Sequence, residues 1–426
     1  LVTGEAALKN KADEADHHHG LASCCLRAIR RRYAARAGEG APSPIPAAQE
    51  ELGRGHYLVA IDGLKRAAYT PDGRVRDPVA LQVWQQFMPF LTNGLEPSAS
   101  NRRNSDEMLG SGWASKIAAA TPRDAIGEIV RRARTTSIVI LNEAHGSPRD
   151  RAFGLEVARA LRPLGYSVLA VEAIRTYPVA STPLSGVEQL KADGFARMGT
   201  GVYTRDPVFA GFLRQALALG YEPIAYDATT AQMMSGGGGV TGREQAQADN
   251  LVAAILAKRP TAKVFVYVGV SHVAEAPLDG TEWMAARLKR LTGVDPLTID
   301  QATLTDVSAR SAYDLAAARI GDRSAIFFSQ RKPLVLGRYA RAVDLQVVHP
   351  RRSYRFGRPA WLATLGGRPV PIPKDLIPAA GRRLVQVFAA NAPADAVPLD
   401  QVLVEDGGAV PMLMVPPGPL RFAVQH

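Results

Sequence analysis

Three features of the 426-residue sequence predict an α/β fold, a mostly parallel sheet flanked by helices, followed by a C-terminal β-rich module. Short apolar runs recur between helical patterns, as right-handed βαβ units require. Several of these runs stop abruptly at Glu, Asp or His. The last hundred residues change to brief strands separated by Pro/Gly turns, the pattern of a small β-sandwich-like module.

The organising stretch runs from Thr136 to Asp150. Ile138 to Leu141, entered through Ser137, reads as a strand buried on both faces. It ends at Asn142-Glu143-Ala144-His145, and Ser147-Pro148-Arg149-Asp150 follows with the marks of a helix start: Ser147 to cap, Pro148 at the first position, Asp150 toward the positive end of the helix dipole. Glu143 and His145 are therefore expected in a turn at a strand's carboxyl end, where open α/β sheets bind ligands. Tyr166–Val171 repeats the pattern and stops at Glu172. Tyr221–Tyr226 stops at Asp227, and Lys263–Val268 stops at Gly269-Val270-Ser271-His272, with Glu275 three residues on. Helical patterns over 151–164, 207–219 and 243–258 separate these runs. Parallel strands point the same way, so Glu143, His145, Glu172, Asp227 and His272 are expected along one rim. For any one of them capping or turn chemistry is the simpler reading; chance placement of all five is not.

In chain order, residues 1–50 read as poorly ordered, with a solvated His17–His19 tract, a basic helix over 27–36 and a Pro-rich linker at 41–46. Residues 51–120 read as an extension packed on the core: a strand at Tyr57–Ile61, a turn at Pro71-Asp72-Gly73, an amphipathic helix over 80–91 and a polar loop over 98–106. Residues 121–302 form the α/β domain, with Thr121-Pro122 expected to open its first helix. Inside it, the long segment 173–206 carries a glycine-flanked Tyr203 that could overhang the crevice. The 235–240 glycine run lacks the Gly-Lys-Ser/Thr of a phosphate loop. Thr241–Glu244 has capping-box spacing, which puts Arg243 in the first turn of a helix facing the rim, as a clamp for an anion, with Asn250 on the same face. A connecting helix spans 303–324, and 325–426 is the β-rich module.

The formal charge of +11 is scattered along the chain, and no zinc-finger spacing, aromatic RNA motif or basic heptad accompanies it, so nucleic acid is excluded as the expected partner. The two cysteines, Cys24 and Cys25, are adjacent and make no disulfide framework. Leu21-Ala22-Ser23-Cys24 has the form that precedes a lipid-modified cysteine, but the polar residues before it do not supply a signal peptide's apolar segment. No apolar run is long enough to span a membrane.

Histidines and carboxylates on one rim can hold a divalent ion that activates water, or a histidine can act on water as general base while a carboxylate orients it. No serine or cysteine nucleophile has the required context, so water is the expected nucleophile. Crowded carboxylates resist joint ionisation, which favours a divalent cation (Mn, Co, Zn or Fe) held by His145, Glu172, His272 and Glu275. At these turns the chain resembles the superfamily of erythromycin esterases, ChaN-like haem-binding lipoproteins and Tiki proteases, over residues 120 to 302. The shared features are the Glu143-x-His145 turn, Glu172 on the second strand, Arg243 opening a helix and Gly269-x-x-His272; Asn142 stands where the family has glycine. The resemblance implies a bacterial, exported protein with a His/Glu site. The expected function is hydrolysis of an ester or amide in a small molecule or peptide, with His145, Glu143, Glu172, Arg243 and His272 catalytic and Tyr203, Asp227 and Asn250 binding. The alternative it implies is haem or iron uptake with Tyr203 or a rim histidine as axial ligand. An adaptor working through the β-rich module is the third reading.

Overall fold

The apolar runs become strands with almost no solvent face. The structure is a computed structural model that describes residues 43–92, 106–178, 184–235 and 239–426. The His17–His19 tract, the basic stretch over 27–36, the cysteine pair and the loop over 98–105 lie outside them. In the central sheet, β1 (Thr121–Asp124), β2 (Ile138–Glu143), β3 (Tyr166–Val171), β4 (Glu222–Ala225), β5 (Lys263–Gly269), β6 (Leu297–Asp300), β7 (Ala325–Ser329), β8 (Lys332–Pro333) and β9 (Leu345–Val348) run in the order β1-β7-β9-β6-β2-β5-β3-β4, with β8 on β7. From β9 to β4 every pairing is parallel; β7 and β1 close the other edge antiparallel. β2 sits at the centre with all six residues buried. Its register sets Glu143 beside Gly269, and β3 reaches Val171 opposite Tyr267. That alignment brings the ends of β2, β3 and β5 level.

The strand side chains alternate between two apolar layers. Val139 and Leu141 face one with Val171, Phe265 and Tyr267, while Ile138 and Ile140 face the other with Val168, Val264 and Val266. Each buried aliphatic side chain contributes on the order of 1.5–3 kcal/mol relative to exposure, so this double layer dominates the stability of the sheet.

Helices α1 (Pro44–Gly53), α2 (Tyr57–Ala68) and α3 (Pro78–Phe87) pack on the first layer. The expected strand at Tyr57–Ile61 is instead the start of α2. Its buried positions, Tyr57, Leu58, Ile61, Leu64 and Ala68, follow the helical period, which five residues were too few to distinguish from alternation. From Pro44 onward the Pro-rich stretch is helical, because Ser43 caps α1 and a proline at its first turn lacks only an N–H the helix would leave unpaired. At Thr121-Pro122 the chain forms β1, and Asp124 caps α4 (Ala125–Ala133) by accepting from Gly127 N at 2.6 Å. Then follow α5 (Pro148–Leu161), α6 (Gly186–Asp193), α7 (Pro207–Ala218), α8 (Gly239–Leu251), α9 (Met284–Thr292) and α10 (Arg310–Ala317). No described helix is long and apolar enough to cross a membrane.

Strands between 325 and 348 join the central sheet, so the separate β-rich part begins later than the sequence suggested. It holds the hairpin β10 (Tyr354–Arg355)/β11 (Arg358–Pro359), then β12 (Arg368–Val370), β13 (Arg382–Ala389), β14 (Asp400–Glu405), β15 (Leu413–Val415) and β16 (Leu420–Gln425). The antiparallel sheet β14-β13-β16 and the ribbon β12–β15 enclose Ile372, Val385, Val387, Val402, Val404, Leu413 and Val415. Gln401 donates to Phe90 O, and Gln425 donates to Gly55 O and accepts from Leu58 N, which ties this part to the N-terminal helices.

Candidate active site at the ends of the parallel strands

The turn after β2 is fixed by its own helix. Asp150, buried in the first turn of α5, accepts from Ala144 N at 2.9 Å and from the Ser147 hydroxyl at 2.7 Å. Burial pushes the Asp150 carboxyl up to about 8. Ser147 occupies the N-cap position, yet its hydroxyl serves Asp150 rather than the helix N–H groups. Gly146 permits the close approach of α3, since a Cβ there would lie 2.9 Å from Gln85 O.

Glu143 is 2% exposed and binds His145 Nδ1 at 3.0 Å. Arg151, fully buried on α5, donates to both Glu143 oxygens (2.9 and 3.2 Å), to His145 O at 2.8 Å and to Asp206 at 2.6 Å; Tyr267 donates to Glu143 at 3.0 Å. Burial would raise the Glu143 pKa, but Arg151 and the His145 contact overcome it and hold it below the usual carboxylate range. The imidazole is thereby aimed by an ionised carboxylate. Its other face stacks on Tyr203, with centroids 4.1 Å apart and planes at 15°. The Tyr203 hydroxyl donates to Gln86 of α3 at 2.8 Å. His145 Nε2 makes no hydrogen bond to a described residue, and the side chain keeps 20% of its exposure.

The second half forms around Glu172, immediately after β3. It accepts from Gly269 N at 2.6 Å through Oε2 and from Arg243 at 2.5 Å through Oε1, with His272 Nε2 at 3.2 Å from the same Oε1. Burial works against its charge, and His272 and Arg243 override it, so Glu172 is held well below the ordinary range. Arg243 also pairs bidentately with Asp227, through two bonds of 2.9 Å. His272 Nδ1 lies 2.9 Å from Glu244, which also accepts from Met284 N at 2.8 Å. Burial alone would lower the His272 pKa; Glu172 and Glu244 on its two nitrogens raise it well above the ordinary value. Glu172 and Glu244 thus favour a charged His272, against burial and the Arg243 guanidinium 3.4 Å from Nε2, and the two histidines differ in their surroundings.

Gly269 joins the halves. A Cβ at this position would lie 2.9 Å from His145 Cε1, 3.1 Å from His145 Nε2 and 3.1 Å from Glu172 Oε2. Imidazole and carboxylate therefore close on one bare stretch of backbone.

The structure brings together Glu143, His145, Glu172, Asp227, Arg243 and His272, with Tyr203 against His145. Arg243 reaches the cluster from the second turn of α8, because the helix begins at Gly239. Asn250 lies beside the cluster in a structural role, donating to Tyr226 O and Asp227 O and bonding with Gln232. Glu275 is turned elsewhere: it binds Lys289 at 3.1 Å and accepts from Thr298 at 3.1 Å. Sequence reasoning missed Arg151, Asp206, Glu244 and Tyr267. Glu244 carried a usable signal, being adjacent to Arg243, and Arg151 stands at the start of the helix that follows His145, whereas Asp206 fell at the end of the long segment 173–206 and Tyr267 inside a strand.

The carboxylates expected to hold a divalent ion are engaged by protein partners. Glu143 and Glu172 are satisfied by arginines, both His272 nitrogens face carboxylates, and Glu275 is remote. Among the described residues no group of three or more His, Cys, Asp or Glu side chains is arranged to hold a metal. The negative charge expected from the sequence is met by Arg151 at Glu143 and Asp206 and by Arg243 at Glu172 and Asp227.

No family model matches the chain, and no curated protein matches it in sequence. Among solved structures it is similar to RRSP, a MARTX toxin effector domain from Vibrio vulnificus CMCP6, at 18% identity and a TM-score of 0.33, over 60% of this chain and 55% of that one. Two structures described as bacterial protein toxins are similar at 17% and 18% identity, each with a TM-score of 0.34, over 63% and 68% of this chain and 58% and 64% of theirs. The chain spans less than two thirds of the length of each.

Proposed function

We propose that the chain is a metal-free hydrolase of esters or amides in which His145 is the general base. The observation that carries this reading is the half-engaged imidazole: Nδ1 is held by the buried Glu143, and Nε2 is left open beside Glu172. A histidine so oriented can take a proton from water while the ionised Glu172 accepts the water's second hydrogen. The water oxygen then attacks the carbonyl carbon. His145 returns the proton to the leaving oxygen or nitrogen as the C–O or C–N bond breaks. Arg243 and His272 keep Glu172 charged throughout and place positive charge beside the reacting carbonyl. This assignment agrees with the resemblance to the erythromycin esterase, ChaN and Tiki superfamily, to which we infer the chain belongs. Haem binding through Tyr203 or His272 has less support, because Tyr203 gives its hydroxyl to Gln86 and His272 has both nitrogens engaged, which leaves His145 Nε2 as the axial ligand that reading would use.

The test is hydrolysis of a panel of p-nitrophenyl acyl esters and fluorogenic peptides by the wild-type chain and by His145→Gln. General-base catalysis is worth about 10²–10⁴ in rate. The variant should lose at least a hundredfold in kcat/KM at an unchanged melting temperature, and wild type dialysed against chelator should keep its activity. Equal rates for the two proteins, or no turnover of either substrate class by wild type, defeats the proposal; activity restored only by Mn, Co, Zn or Fe defeats its metal-free form.

A further inference from the structure

The β10–β11 hairpin carries an unusual tip. Tyr354 pairs with Pro359 and Arg355 with Arg358, so Phe356 and Gly357 form a two-residue turn with φ of +56° and +72°. Positive φ at both centres is the mark of a type I′ turn, in which Asn-Gly is favoured and a bulky aromatic is disfavoured. Phe356 is nonetheless there, and 40% exposed; Tyr354 is 52% exposed. They are the exposed aromatic side chains among the described residues, and both stand on this one hairpin. Met412 N donates to Phe356 O at 3.0 Å, which brings the neighbouring Val410, 42% exposed, toward the same tip. Arg355 lies over the Phe356 ring at 4.9 Å and makes no ion pair with a described residue. The base of the hairpin is rigid by contrast: Arg358, 2% exposed, makes two 2.8 Å bonds to Asp400 and donates to Met412 O.

We propose that this tip docks the protein on an anionic lipid bilayer. Aromatic rings are favoured at the level of lipid headgroups, and an unpaired arginine beside them is attracted to anionic headgroups. Two exposed aromatic side chains on a narrow hairpin, with Val410 near by, are far less than the roughly 800 Å² per partner of a stable protein interface, but they suit shallow insertion. The net charge of +11 draws the chain toward such a surface, and the hairpin gives the attraction a fixed point of contact. The clamp at Arg358–Asp400 transmits that contact to the body of the protein.

Co-sedimentation with phosphatidylcholine vesicles, with and without 30% phosphatidylserine (a composition chosen at about physiological surface charge), tests the proposal. The full chain should bind the anionic vesicles and leave the neutral ones. Phe356→Asn with Tyr354→Ser should weaken that binding at least tenfold. Asn suits the turn, so the melting temperature of the double variant should hold or rise, which separates lost insertion from misfolding. Binding unchanged in the double variant shows attraction by net charge alone and overturns the proposal. So does the absence of binding to anionic vesicles at low salt, which would leave the tip to a protein partner.

Discussion

Replacing Arg151 by Met is the most revealing perturbation of the site. The guanidinium is fully buried and donates to Glu143, Asp206 and His145 O. Met fills similar volume without charge, leaving two buried carboxylates with no cation. Breaking a buried ion pair from one side costs about 3–5 kcal/mol. The pH dependence identifies the cause. In wild type the Glu143 pKa is lowered, so its contribution to stability is present above its unfolded value and is lost as pH falls through the folded one. Without Arg151, burial is opposed at Glu143 only by the His145 contact, so its pKa rises, and Asp206, which burial already raises, moves further up. Both then favour their neutral forms in the folded state, and the variant gains stability as pH falls. Urea unfolding of both proteins at about pH 5 and pH 8 measures this, since those values bracket the range in which raised carboxylates titrate. The deficit should be full at the higher pH and clearly smaller at the lower. An equal deficit at both, or one below about 1 kcal/mol, a typical surface-pair value, would show that Arg151 does not hold these charges.

Two further substitutions test the other half. Glu244→Gln removes one of the two carboxylates that raise the His272 pKa; that stabilisation exists below the unfolded histidine value and is lost as pH rises through the folded one. The midpoint of the His272 ring resonance should move to lower pH in the variant than in wild type; an unchanged titration curve would deny Glu244 this role. Gly269→Ala would put a methyl group 2.9 Å from His145 Cε1 and 3.1 Å from Glu172 Oε2, so hydrolysis should fall at least tenfold while the melting temperature changes by a few degrees at most. Full activity in that variant would show that the His145–Glu172 gap is not where water reacts.

The central strands and the residues that end them were legible in the sequence because a strand buried on both faces must be an unbroken apolar run. A polar residue closing such a run is conspicuous, which is why Glu143, His145, Glu172, Asp227 and His272 could be picked out and expected on one rim. Local signals misled where two periods agree over a few residues, as at Tyr57–Ile61, or where the cap lay three residues further on, as at Asp124. What the tertiary structure alone decided is the partnership of the charges. Glu244 reads as half of a capping box until α9 brings Met284 N to it and the turn after β5 brings His272. Arg151 reads as a helix residue until β2, α5 and the start of α7 converge on it, and Glu275, three residues beyond His272, is carried away to Lys289. Electrostatic energy at these distances depends on ångströms and on burial, and neither is a property of sequence spacing. The chain order therefore determined which residues reach the crevice, and the packing of helices around it determined which carboxylates face His272, that His145 Nε2 is open, and which arginines pair with Glu143 and Glu172.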